Sequence, residues 1–172
     1  MKLLENLKYS LFYEDEQTRK IRDTLKVVFF VYLSILIKLV VFKYPTEQLK
    51  EISQFWSSRV VLEGLDSANF TLFRTIKMYI RYWGRLNSFE NLFGNIFLFS
   101  PLGFFLPFLH KKSRDWWALL GYSFLLVCGI EIFQLITAFG AFDVDDILLN
   151  CIGSLIGYLG FYAVWRSGKR RM

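Results

Sequence analysis

Histidine, cysteine and proline are scarce in this sequence, which has one, two and three of them among 172 residues. It contains no GxSxG nucleophile elbow, no Walker phosphate-binding loop and no HExxH zinc motif. Cys128 and Cys151 both fall inside apolar runs, so they indicate neither a disulfide framework nor a redox pair. The sequence therefore offers no candidate residues for nucleophilic or zinc chemistry.

Polar residues are scarce too, because hydrophobic residues make up 54% of the chain and aromatic residues 19%. Too few polar side chains remain to cover a water-soluble globule of this length, which favours a membrane protein. The net charge of +6 does not indicate nucleic acid binding, since the basic residues cluster where apolar runs end. We expect membrane lipids, and no nucleic acid, as partners.

Four apolar runs have the length of a membrane span, which is roughly 20 helical residues for a hydrocarbon core about 30 Å thick. They predict an all-α polytopic membrane protein, a single membrane domain with spans at residues 24–44, 91–109, 116–138 and 146–165. Residues 1–23 are charged and polar and no small-residue cleavage site follows the first run. We therefore expect that run to remain as an uncleaved anchor.

The flanks of these runs differ in basic residues. Lys and Arg are frequent in residues 1–23, in the loop at 110–115 and in the C-terminal tail, and absent from residues 139–145. The positive-inside rule then predicts that both termini are cytoplasmic and that residues 45–90 are external. Helix-compatible spacing favours one or two amphipathic pieces of the external segment at the outer interface, and residues 1–23 are expected to be cytoplasmic or interfacial.

With this topology, the intramembrane amides and carboxylates gather near the outer face. An ionisable group at membrane depth costs about 2.5–3.5 kcal/mol and needs a partner or a water-filled cavity. The alternative is structural, since Asp143 or Asp145 could simply cap span four. The candidate functional cluster comprises Asn91, Asn95, Glu131, Gln134, Asp143, Asp145, Asp146 and Asn150.

Two kinds of ligand suit these oxygen-rich side chains. Carboxylates are ligands that Mg²⁺ and Ca²⁺ take, so the cluster could bind a divalent cation, or it could hydrogen-bond a lipid headgroup. The spacing is not a metal signature and leaves both alternatives open. Four arginines of the external segment are candidate partners for anionic headgroups: Arg59, Arg74, Arg81 and Arg85.

Glycines are spread through the predicted spans two to four. Small residues at helix interfaces let backbones approach closely, and residues 153 and 157 form a small-xxx-small pair. We therefore predict close helix approach at Gly94, Gly103, Gly121, Gly129, Gly153, Gly157 and Gly160.

Three segments, taken in order, resemble the motifs of the VanZ-like family. They are NLFGNIFLFSPLGF at 91–104, IEIFQL at 130–135 and FDVDDILLNCIG at 142–153. A family element with proline is matched at 69–73 only by NFTLF, which lacks it. The family positions met in this chain are Asn95, Pro101, Glu131, Gln134, Asp143, Asp146 and Asn150.

The resemblance implies a small multi-pass protein of the bacterial cell membrane, typical of Gram-positive organisms. The founding member of the family is associated with reduced susceptibility to the lipoglycopeptide teicoplanin. The resemblance names a phenotype class and no reaction.

Three functions remain as alternatives. We favour recognition of an envelope lipid, a lipid-linked cell-wall precursor or a lipoglycopeptide at the outer leaflet, without turnover. The second is a membrane-embedded enzyme acting on a lipid-linked phosphate or glycolipid, in which Glu131 or Asp146 holds a divalent metal or serves as general base. The third, lipid transport, would need an oligomer or a large motion of the chain.

Overall fold

A computed structural model describes residues 2–42, 44–83 and 88–169. Within these residues the chain is helical, and the only β-type pairing is one isolated parallel bridge between Asn69 and Asp143. The helices are α1 Lys2–Phe12, α2 Glu16–Val40, α3 Thr46–Gln54, α4 Ser58–Ser67, α5 Arg74–Arg81, α6 Ser88–Leu109, a short 3-10 helix Lys111–Arg114, α7 Trp116–Thr137 and α8 Val144–Lys169.

Three helices are long and apolar enough to cross a membrane. Their apolar parts are Asn91–Leu109 in α6, Trp116–Thr137 in α7 and Val144–Ser167 in α8. These ranges closely match the second, third and fourth predicted spans. Large apolar side chains such as Phe97 and Leu125 point outward and are 68% and 69% exposed, which suits a lipid solvent rather than water.

Helix α2 contains the run predicted as the first span, residues 24–44. It begins earlier, at Glu16, because the side chain of Asp15 caps it by accepting a hydrogen bond from the backbone of its first turn. It ends at Val40, before the predicted limit, and Lys43 lies outside the described residues. Helix α2 is not among the three helices above, and its role as a span stays a prediction.

The core has two parts, one at each end of the helical bundle. Helix α8 contacts both α6 and α7, and α2 packs on α6, where the Tyr32 hydroxyl donates to the Leu98 carbonyl at 2.7 Å. One end of the bundle carries both termini, and we call it the terminal end. The buried cluster there is Leu7, Leu11, Leu25, Phe108, Phe161 and Val164. Nearer the α7–α8 loop it is Leu36, Val41, Phe99, Leu102, Val127 and Ile130.

The predicted external segment forms three short helices, α3 to α5, over the α7–α8 loop; we call residues 45–83 the cap. The Trp56 indole N–H donates to the Ile136 carbonyl at 2.7 Å, which satisfies a carbonyl at the C-terminal end of α7. The backbone of Asn69 also donates to Phe142 at 2.9 Å and accepts from Val144 at 3.0 Å. The cap is thus fixed to the loop that precedes α8.

Glycines bring α6 and α8 into backbone contact. A β-carbon at Gly103 would lie 1.7 Å from the Ser154 carbonyl oxygen, and one at Gly157 would lie 1.8 Å from that of Ser100. The prediction of close approach is therefore confirmed for this interface. It is wrong for three other glycines, where a β-carbon would meet no described atom within 4 Å: Gly94, Gly121 and Gly129.

Candidate functional site

A polar cavity of about 240 Å³ lies among α2, α6, α7 and α8, below the cap. Six of the eight predicted cluster residues line it, and apolar residues of α2 and α6 complete the wall. The six are Asn91, Asn95, Glu131, Gln134, Asp146 and Asn150. Three different helices therefore bring together side chains that are up to 59 positions apart in the sequence, from residue 91 to residue 150.

Glu131 is the deepest carboxylate of this cavity, with 1% of its surface exposed. Its Oε2 accepts a hydrogen bond from the backbone N–H of Asp143 at 3.0 Å, just before the first residue of α8. Unpaired N–H groups and the positive end of the helix dipole make this position favourable for an anion. The start of α8 therefore helps to hold a carboxylate inside the bundle.

Asp146 and Gln134 line the same cavity and connect it to neighbouring helices. Asp146 Oδ1 accepts from the Asn95 amide of α6 at 2.8 Å. The Gln134 amide donates to the carbonyl of Val40, at the end of α2, at 2.8 Å. These contacts fix the cavity wall, because each joins two different helices.

Asn150 differs from its neighbours because its side-chain oxygen is buried without a donor. The residue is 1% exposed, and no described residue donates a hydrogen bond to Oδ1. A buried acceptor left in this state costs about 1–3 kcal/mol. Asn150 therefore places an unsatisfied, fully buried acceptor in the wall of the polar cavity.

Asp145, although next to Asp146, faces away from the polar cavity and is fully buried beneath the cap. Its two oxygens accept from the backbone N–H groups of Phe73, Thr75 and Ile76 at 2.5, 2.7 and 3.2 Å. These groups belong to the start of α5, so Asp145 caps that helix from another part of the chain. Its geometry is that of a structural residue.

Asp143 connects the cap to α8. Its Oδ1 accepts from the backbone N–H of Asp145 at 2.8 Å, which makes it the N-cap of α8, and from the Asn69 amide at 2.8 Å. Its Oδ2 accepts from the Thr75 hydroxyl at 2.6 Å. The backbone bridge to Asn69 runs beside these bonds. The capping alternative described above therefore applies to Asp143.

A second cavity, of about 320 Å³, lies between the cap and the α7–α8 loop; we call it the cap cavity. Asp146 lines both cavities, and on the cap side it meets Arg74 and Tyr79 of α5. Partial burial raises the pKa of the Tyr79 phenol, and the nearby carboxylates of Asp146 and Asp143 raise it further. Tyr79 therefore remains a hydrogen-bond donor at neutral pH.

The four predicted arginines have different surroundings. Arg74 lines the cap cavity and is exposed, whereas Arg59 pairs with Glu63 of its own helix at 3.1 Å. Arg81 is exposed at the end of α5, and Arg85 lies outside the described residues. Of the three predicted arginines that the structure describes, Arg74 is the one that shares a cavity with Asp143 and Asp146.

In a comparison with protein families, residues 29–166 match the family described as VanZ/LLP1. The chain belongs to the VanZ-like family. The resemblance seen in its motifs is therefore confirmed. No curated protein and no solved structure matches it.

The VanZ-like motif positions map onto the two cavities and the cap. Five of the seven line the polar cavity: Asn95, Glu131, Gln134, Asp146 and Asn150. Asp143 joins α8 to the cap, and Pro101 lies within α6. All three motifs thus contribute residues to the polar cavity, and the third also contributes Asp143, which contacts the cap.

Sequence reasoning missed Asn69, Thr75 and Tyr79 as neighbours of the VanZ-like cluster. Asn69 Oδ1 accepts from the backbone of Thr71, a local Asn turn that the sequence could have suggested. Its contact with Asp143, 74 positions away, had no signal in the sequence.

Two carboxylates, Glu131 and Asp146, are the cavity residues that could coordinate a cation. Within the described part of the chain, no group of three or more His, Cys, Asp or Glu side chains is arranged to hold a metal ion. The remaining oxygen ligands at the polar cavity would come from amides.

Proposed function

We propose that this VanZ-like protein lowers susceptibility to lipoglycopeptides such as teicoplanin by recognising a ligand at the outer leaflet of the bacterial membrane. The ligand is an envelope lipid, a lipid-linked cell-wall precursor or the drug itself. The observation that carries the proposal is the acceptor-rich polar cavity, whose wall includes Glu131, Asp146 and Asn150.

The chemistry of the cavity favours a ligand rich in donors. Carboxylates accept hydrogen bonds, and bonds to charged groups contribute about 1.5–3 kcal/mol each. Sugar hydroxyls and ammonium groups, which lipid-linked precursors and glycopeptides carry, supply such donors. The cavity is too small for a whole glycopeptide, so it would hold one group of a larger molecule.

We further propose that α2 is the first of four spans, with both termini cytoplasmic and the cap outside. The outward surface of α2 is apolar for several turns, with Val27, Phe30, Ile35 and Leu39 all more than half exposed. A helix of this kind needs lipid on that side. An impermeant thiol reagent applied to whole cells should label Glu47→Cys and spare Glu5→Cys; the reverse pattern would contradict this topology.

The test is drug susceptibility of a sensitive Gram-positive host that expresses the chain. The parent should raise teicoplanin tolerance, and Glu131→Gln and Asp146→Asn should lose it at matched membrane levels. Glu63→Gln is the control, because it removes an exposed carboxylate of the cap that does not line either cavity. An inactive parent would remove the resistance function, and active Glu131 and Asp146 variants would make the cluster structural.

Binding by purified protein separates recognition from turnover. Losing one charged hydrogen bond should weaken ligand binding by about 10–100-fold. Saturable binding of an envelope lipid, precursor or teicoplanin, weakened in Glu131→Gln and retained in Glu63→Gln, supports recognition. Absence of saturable binding by all three ligand types contradicts it.

A second function, catalysis on a lipid-linked phosphate or glycolipid, is favoured by one observation: two carboxylates, Glu131 and Asp146, face the same cavity. Such a pair could supply a general base or bind Mg²⁺ or Ca²⁺. Product analysis of lipid-linked substrates before and after chelation tests this alternative. Product formation that stops on chelation indicates a metal enzyme, and no product from any substrate contradicts catalysis.

A further inference from the structure

An apolar groove of about 720 Å³ runs between α7 and α8 on the outside of the bundle. It begins at Trp117, near the start of α7, and its far end is formed by Leu72 and Phe142, which belong to the cap and the α7–α8 loop. Gly121 and Cys128 lie along its floor on α7. Gly121 has no side chain, and a β-carbon there would meet no described atom within 4 Å.

The dimensions of the groove suit one acyl chain. From Trp117 to Cys128 the helix rises about 16 Å, at 1.5 Å per residue. That is about half of a hydrocarbon core roughly 30 Å thick, which is the depth that one acyl chain fills. Its volume also falls within the range of roughly 300–1,000 Å³ that is typical of small-molecule sites.

The groove and the cap cavity adjoin at Phe142, whose side chain lines both. In the cap cavity two opposite charges face one space: the guanidinium of Arg74 and the carboxylate of Asp146. Arg74 forms no ion pair with any residue that the structure describes. An apolar groove therefore lies beside a small polar space that is lined by Arg74 and by the carboxylates of Asp143 and Asp146.

We propose that this pair of spaces binds a phospholipid with a primary amine in its headgroup, a phosphatidylethanolamine-type lipid. One acyl chain lies in the α7–α8 groove, the phosphate pairs with Arg74 and the ammonium reaches the carboxylate of Asp146. This proposal deepens the proposed function and rests on it, since it names the lipid class that the cluster recognises.

The charges distinguish this class from other membrane lipids. A glycerol headgroup offers a phosphate to Arg74 but no cation to the carboxylates of Asp146 and Asp143, which would repel it. A choline headgroup has a cation without N–H donors, so it cannot hydrogen-bond an acceptor. A primary ammonium supplies both the charge and three donors, and charge-assisted hydrogen bonds are the strong ones.

The experiment uses the full chain, purified in nanodiscs, and three photoreactive lipids. The lipids carry the same diazirine-labelled acyl chain and differ only in an ethanolamine, choline or glycerol headgroup. The ethanolamine lipid should label α7 and α8 around Gly121 and Cys128 about tenfold more than the others, as one lost polar contact predicts. Equal labelling by all three lipids would show bulk lipid contact only and overturn the proposal.

Two glycine variants test where the acyl chain lies. Gly121→Phe fills the α7–α8 groove and should abolish labelling there. Gly129→Phe is the matched control: it lies on the same helix and also faces open space, but it lines a different groove, between α2 and α7. Both variants should keep the parent's elution profile. Labelling that survives Gly121→Phe, or is lost equally in Gly129→Phe, would overturn the groove assignment.

Arg74→Gln tests the headgroup separately. It should reduce labelling by all three lipids, because each carries the phosphate, whereas Asp146→Asn should reduce the preference for the ethanolamine lipid over the choline lipid. Unchanged labelling in Arg74→Gln, or an unchanged preference in Asp146→Asn, would overturn the headgroup assignment. The two proposals can fail independently. If groove labelling is not selective while Glu131→Gln still loses drug tolerance, only the lipid assignment fails. If the parent confers no drug tolerance, the labelling experiment still tests the lipid assignment independently.

Discussion

Helix α8 packs against α6 on one side and α7 on the other, and the two interfaces differ. Towards α6, glycines bring the backbones into contact, with an ideal β-carbon at Gly153 only 2.4 Å from the carbonyl oxygen of Ile96. Towards α7, the two helices leave the apolar groove open, and Gly121 faces empty space. The same residue type therefore closes one interface and opens the other.

This difference separates stability from binding. In a membrane, helices associate through close packing rather than by expelling water, so the α6–α8 interface is the one that holds the bundle together. The α7–α8 interface has space that lipid can fill. We expect substitutions of the same kind to have opposite consequences at the two interfaces.

The largest effect is expected at the α6–α8 interface. Gly157→Leu would force a side chain into the backbone of α6, where even a β-carbon would lie 1.8 Å from the Ser100 carbonyl oxygen. Overpacking costs about 1–3 kcal/mol where a core can adjust, and backbone cannot move aside easily, so we expect at least that loss. Thermal unfolding of purified protein measures it. Gly121→Leu is the control and should unfold near the parent's temperature; equal losses would refute the comparison.

The second effect concerns the cap, which forms one end of the α7–α8 groove. Asp145→Ala removes the acceptor of three backbone N–H groups at the start of α5; because water reaches these groups once the cap loosens, we expect a loss of about 1–3 kcal/mol in all. We expect the cap to loosen while the helical bundle remains folded. Limited proteolysis should then cut residues 70–83 faster, and Glu63→Gln should not change the cutting. An unchanged digestion pattern would argue against Asp145 as the cap's anchor.

The third effect is expected within α6, where two glycines have different surroundings. Gly94 lines the polar cavity and faces open space, unlike Gly103 of the same helix. Gly94→Leu should fill the cavity, abolish teicoplanin tolerance and leave the unfolding temperature within a few degrees of the parent. Susceptibility and thermal unfolding, measured on matched expression levels, check both parts. Retained tolerance would mean that the cavity volume is not used.

The smallest effect is expected from charges at the terminal end. Glu14 pairs with Lys111 at 2.8 Å, and this contact, with Arg22 nearby, lowers the pKa of Glu14 below its ordinary value of 4.5. A carboxyl with a lowered pKa stabilises the folded state above pH 4.5, and this stabilisation is lost as the pH falls through the lowered pKa. The pair is exposed, so the effect is small. Unfolding temperatures from pH 6 to pH 3 should fall slightly more for the parent than for Glu14→Gln; identical profiles would contradict the pairing.

The apolar helices could be predicted from the sequence because length and hydropathy decide them. The apolar parts of α6, α7 and α8 lie close to the predicted ranges, and the i, i+3 spacing of Glu131 and Gln134 correctly puts both on one face. The role of Asp145 could not be predicted, because its partners come from a cap helix about 70 residues earlier. The small-xxx-small spacing of Gly153 and Gly157 correctly predicted close helix approach. Spacing does not show whether a glycine such as Gly121 faces a neighbouring helix or open space.

The cap shows a further limit. Its helices are short, and the position of the cap depends on contacts between residues far apart in the sequence, such as Trp56 to Ile136 and Asn69 to Asp143. Such contacts have no period in the sequence. The position of the cap helices is therefore set by tertiary contacts, which the local sequence pattern does not predict.

The adjacent residues Asp145 and Asp146 fix the rotational position of the first turn of α8 about its helix axis. Successive helical side chains are about 100° apart, which is why one carboxylate holds the cap and the next faces the cavities. Inserting one residue before Asp145 would turn Asp145 to the direction that Asp146 has now and turn Asp146 about 100° further, so that neither carboxylate would meet its partners. The length of the loop before α8 therefore matters as well as its composition.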